Sequence, residues 1–147
     1  HDVIYTPSRN DNEEVENIKL ASIELFKDFV KVAKPKIDET KVEKYILCTK
    51  HHFSNTEYDD SDLNYFLDLD LETFGIENFE DYLEISSGIQ YEFTHHLKQE
   101  AFEKGRDKFL QFVLTKDNIY RTEEYRNNCE KKARDNIQRE IQFHSNI

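Results

Sequence analysis

The chain reads as all-α: one domain over residues 1–147, a bundle of about six helices. Three observations predict this. Only 3 glycines and 2 prolines occur in 147 residues, too few for the tight turns of an all-β fold. Apolar residues recur at three- and four-residue spacing over long stretches bounded by capping residues. No apolar run approaches the roughly 20 residues of a membrane helix, while 13% aromatic residues are too many for a disordered acidic tail.

The elements follow in order. HDVIYTPSRN mixes β-branched residues with a Pro-Ser turn. A helix follows, capped by Asp11 or Asn12, with Val15, Ile18, Ile23, Phe26, Phe29, Val30 and Ala33 on its apolar stripe and Pro35 stopping it. A second helix starts near Asp38, carries Val42, Tyr45, Ile46, Thr49 and Phe53, and ends in Thr49-Lys50-His51-His52. Residues 54–61 are polar and acidic and read as a loop. The third helix is capped by Ser61 or Asp62, stopped by Gly75, and striped by Leu63, Phe66, Leu67, Leu71 and Phe74. A fourth runs from about Asn78 to Phe93 and a fifth from about Lys98 to Leu114. The last begins at its cap Thr122 and uses Tyr125, Cys129, Ala133, Ile137 and Ile141. Neither a 20–50-residue repeat nor a Gly/Ser/Pro linker divides the chain.

Charge narrows the partners. A formal charge of −11 opposes binding to a nucleic-acid polymer, and the lack of an apolar span argues against a membrane. Two cysteines, Cys48 and Cys129, make no disulfide scaffold and no metal spacing, which predicts a reducing, cytoplasmic setting. Self-association into a homo-oligomer stays open. The chain holds no methionine and opens on His1, so it is expected to be cut from something longer.

Four features carry candidate chemistry. Asp70 stands at +3 from Leu67, +4 from Phe66 and +7 from Leu63, which predicts a carboxylate on the core face of its helix. A buried carboxylate needs a metal, a basic partner or a raised pKa. Asp68 is predicted on a flank; the alternative has both aspartates facing solvent. His1-Asp2 supplies an imidazole and a carboxylate that suit one divalent ion, or is a tag remnant. His51-His52 and Lys50 close a helix whose end favours cations and offer a phosphate site, or a solvated helix end; His95-His96 and His144 read as surface. Glu13 and Glu14 either complement a helix dipole or orient a water. Arg134 either pairs with Glu130 at i, i+4 or meets an anion bidentately. No phosphate loop, nucleophile elbow, zinc cysteine pair or EF-hand loop occurs.

Taken together, HDVIYTPSRNDNEE, TKHH, YFLDLDLETFG, EDYLEISSGIQYEF, GRDKFLQFVL, IYRTEEY and EKKARDNIQRE resemble the HD superfamily of predicted metal-dependent phosphohydrolases, in its small bacterial-type branch. The resemblance covers essentially the whole chain. It implies an all-α fold and a divalent metal (Mn, Fe, Co, Ni, Mg or Zn) held by a His, a His-Asp doublet and a distal Asp. The doublet would be His1-Asp2 and the distal ligand Asp70, with Asp68 the fallback. The first His of the family lies upstream, so about two N-terminal helices are expected to be missing. Gln90 stands where the family tends to have Arg. On this resemblance the expected activity is hydrolysis of a small phosphate ester or nucleotide. Glu13 or Glu14 would orient the water; Lys50, His51, His52 and Arg134 would offset phosphate charge. The alternative is a non-catalytic helical domain that binds a nucleotide or a protein.

Overall fold

The computed structural model describes residues 13–54, 56–94 and 98–145, with side chains from Ile18 onward. Among them are seven helices: α1 (Glu13–Ala33), α2 (Glu39–Cys48), α3 (Ser61–Asp70), α4 (Phe79–Thr94), α5 (Gln99–Leu114), α6 (Glu123–Asn128) and α7 (Glu130–Ser145). Short 3-10 turns occupy Thr49–His51 and Glu72–Gly75. No strand occurs among the described residues, so the all-α expectation holds.

Local chemistry sets most of the helix ends. Lys34 takes a left-handed conformation (φ 47°) and donates its N–H to the Val30 carbonyl at 2.9 Å, closing α1 immediately before Pro35. The Asp38 carboxylate accepts from Lys41 N at 3.0 Å and starts α2. Asp60, one residue earlier than expected, does the same for α3 through Leu63 N at 3.1 Å. Thr122 caps α6 through Tyr125 N at 3.3 Å.

Two boundaries differ from expectation. α3 stops at Asp70, and the residues up to Gly75 form a separate 3-10 turn. Gly75 acts through space, not through a left-handed φ: a Cβ there would lie 2.7 Å from Cys129 Cβ and 2.9 Å from Tyr120 Oη. The last predicted helix is two helices, α6 and α7, broken at Cys129. Just past the break, the Glu130 carboxylate turns back to accept from Ile119 N and Tyr120 N, each contact at 3.0–3.2 Å.

The chain divides into two compact units, His1–Ser54 and Asn55–Ile147. In the first, α1 packs on α2; Ile18, Ile23, Val30 and Ile46 are its buried apolar side chains, and Lys27 reaches Glu43 at 3.5 Å. In the second, α7 packs against the Glu72–Gly75 turn, α4, α5 and α6. Its core is Leu63, Leu67, Leu110, Val113, Tyr120, Ala133 and Ile137, all almost wholly buried. No helix among the described residues is long and apolar enough to cross a membrane.

Candidate functional site

The last turn of α3 carries Asp68 and Asp70 and no basic residue. Their burial reverses the expectation. Asp68 is buried, at 1% exposure, and Asp70 is half-exposed. The reason lies in where the helix ends. Phe74 belongs to the following 3-10 turn, so it does not share the helical face that was drawn through it. Without that anchor the inward face centres on Leu63, Leu67 and Leu71, and Asp68 lies at its edge.

Asp68 meets its desolvation cost with long-range donors. Oδ1 accepts from Arg121 N at 2.7 Å. Oδ2 accepts from Thr122 N and Thr122 Oγ1, both at 2.7 Å. Two backbone N–H groups and a hydroxyl thus satisfy this buried carboxylate. It also holds the entry of α6, whose cap is the same Thr122. Both oxygens are thereby committed, so Asp68 fits a metal poorly. Asp70 fits better. It is half-exposed at the final residue of α3, where the negative end of the helix dipole adds to the carboxylate charge.

Arg134 is a structural residue. It pairs with Glu130 (Nη2 to Oε1, 2.7 Å), as the i, i+4 spacing allowed. Its guanidinium also donates to the carbonyls of Leu114 at 3.3 Å, Lys116 at 2.7 Å and Asp117 at 3.1 Å. Glu130 and Arg134 therefore clasp both sides of the segment between α5 and α6. Asn136 works alike, donating from one Nδ2 to the carbonyls of Phe74 and Ile76 at 2.9 and 2.8 Å.

Spacing alone left unread the most buried polar group of all. Glu140 is fully buried and collects donors from two other helices. Tyr82 Oη donates to Oε2, and Ser86 Oγ donates to Oε1 at 2.6 Å. Arg106 straddles the carboxylate, Nε to Oε1 at 2.9 Å and Nη2 to Oε2 at 3.3 Å. Burial pushes the Glu140 carboxyl up; the Arg106 guanidinium and the hydroxyl donors outweigh it and hold the group below its ordinary range. Burial raises the Tyr82 phenol, with the Glu140 charge adding to it. One signal was available: Glu140 stands at +7 from Ala133 and +3 from Ile137, on the apolar stripe of α7.

The remaining candidates lie elsewhere. Lys50 and His51 are exposed on the 3-10 turn Thr49–His51, and His52, half-buried, follows it. Glu13 and Glu14 open α1, with side chains outside the described residues. His1, Asp2, His95 and His96 also lie outside them. His144, expected at the surface, is half-buried and bonds Asp107 through Nδ1 at 2.7 Å. Gln90 donates to Glu103 at 3.4 Å. Among the described residues, no three His, Cys, Asp or Glu side chains gather into a metal-ligating group.

No family model, curated protein or solved structure matches the chain.

Proposed function

We propose that the chain belongs to a metal-dependent phosphohydrolase acting on a small phosphate ester or nucleotide. The supporting observation is the division between the two aspartates of α3. Asp68 spends its charge inside the protein. Asp70 presents a half-exposed carboxylate at the last residue of α3. Such a carboxylate suits a hard or borderline divalent cation. The resemblance to the HD superfamily supplies the rest of the reading.

When bound, the ion lowers the pKa of a water and polarises a phosphoryl oxygen. In this reading Asp70 would hold the ion, and a chain of −11 needs a local cationic group to admit an anionic substrate. Arg134 is left out of the substrate set, because its guanidinium is committed to Glu130 and to three backbone carbonyls.

That commitment favours a second reading, a non-catalytic helical domain that binds a nucleotide or a protein. Metal analysis of the purified protein and a phosphatase and nucleotidase panel with Mn, Fe, Co, Ni, Mg and Zn separate the two. The phosphohydrolase reading expects turnover with at least one metal, and lower metal content in Asp70→Asn. No turnover with any metal, together with unchanged metal content in Asp70→Asn, would leave the binding-domain reading.

A further inference from the structure

α4 and α5 enclose an open groove of about 310 Å³ lined by Ile89, Phe93, Phe102, Gly105, Arg106 and Phe109. That volume is at the small end of ligand sites. Its walls are aromatic: Phe93 and Phe102 rings stand 5.5 Å apart at 43°, and Phe109 is 39% exposed.

Two details say what suits it. A Cβ on Gly105 would meet nothing within 4 Å. The fold therefore has no steric need for glycine there, although glycine inside a helix is destabilising relative to alanine. What Gly105 does is keep the groove wall low. The second detail is Arg106, the sole charged residue of the lining. Nε and Nη2 serve Glu140, and Nη1 lies outside that pair. The buried Glu140 offsets the charge of Arg106, so the guanidinium that borders the groove brings no net positive charge to it. In a chain of −11 an anion gains nothing by entering.

We infer that this groove is a binding site for a small neutral molecule with a planar aromatic ring and a carbonyl or ring-nitrogen acceptor. The ring lies against Phe102 and Phe109, in the offset or edge-on arrangements aromatic pairs prefer, and the acceptor takes the Arg106 donor. The site stands apart from the Asp70 reading and does not depend on it.

Benzamide is the probe, titrated into the whole chain and followed by backbone amide NMR. Shifts should concentrate at Phe102, Gly105 and Phe109. Benzoate, with the same ring and a negative charge, should bind about tenfold more weakly. Gly105→Leu should weaken benzamide binding by about tenfold or more without lowering the melting temperature. Gly88→Leu, at an equally unhindered helical glycine outside the groove, should leave binding unchanged. Phe109→Ser gives a second route to weaker binding from an exposed position. The inference is overturned if benzamide shifts no groove residue. It is also overturned if benzoate binds as well as benzamide, or if Gly105→Leu and Phe109→Ser bind like the parent.

Discussion

The two units of the chain differ in how deeply they bury their innermost polar groups. In residues 55–147, polar side chains go inward: Asp68, Asn136 and Glu140 are each at or below 1% exposure, and each is bonded to partners far away in sequence. The first unit buries Lys19, Ser22 and Thr49 less deeply, at 3–7% exposure, and both units leave large apolar side chains exposed, Val32 at 86% in the first and Tyr91 at 68% in the second. The second unit is therefore specified by a few directional bonds, in which losing one partner strands another. The first carries exposed apolar side chains along α1 and α2, and tolerates change there.

The sharpest way to break this contrast is Glu140→Ala. It leaves the Arg106 guanidinium buried without its counter-charge and two hydroxyls without an acceptor. A loss of about 3–5 kcal/mol is expected in urea unfolding. A loss below about 1 kcal/mol would mean the cluster is looser than its geometry.

Asp68→Asn comes next, at about 2–3 kcal/mol, because an amide cannot accept from all three donors. Asp70→Asn, two residues along the same helix, should cost no more than about 0.5 kcal/mol without metal.

Gly75→Ala should cost about 1–3 kcal/mol by overpacking against Cys129 and Tyr120. The same change at Gly105, where the space is open, should stabilise by up to about 1 kcal/mol.

Acid sharpens the comparison further. The folded-state pKa of Glu140 is depressed, so its contribution is present above the ordinary glutamate value of 4.5 and is lost as pH falls through the depressed one. Glu140→Gln should therefore flatten the pH dependence of stability below about pH 4.5. An unchanged acid limb would assign that dependence to other carboxylates. At the small end, Val32→Ser on α1 should move stability by no more than about 0.5 kcal/mol.

Much of this architecture was legible along the chain. Pro35, Asp38 and Thr122 mark helix ends because capping is chemistry between near neighbours. The stripes drawn along α1 and α2 follow from 3.6-residue periodicity. What escaped is what depends on distant partners. The Asp68 donors lie 53 and 54 residues away, so periodicity could place a carboxylate near the core without choosing which one. Drawing the stripe through Phe74 then chose wrongly, because α3 ends before reaching it. Arg134 allowed two readings from spacing, and the carbonyls of Leu114, Lys116 and Asp117 decide for the structural one. Glu140 was signalled by its place on the α7 stripe, but Tyr82, Ser86 and Arg106 could not be paired with it by spacing.

On the proposed function, neighbouring aspartates of α3 do different work, Asp68 for the fold and Asp70 for a metal. The direct measurement is melting temperature with and without added Mn, on the parent, Asp68→Asn and Asp70→Asn. The account predicts that Mn raises the melting temperature of the parent and that Asp70→Asn loses this rise while matching the metal-free parent. Asp68→Asn should melt lower in both conditions and still respond to Mn. An Asp70→Asn protein that responds to Mn like the parent, or an Asp68→Asn protein as stable as the parent, would contradict it.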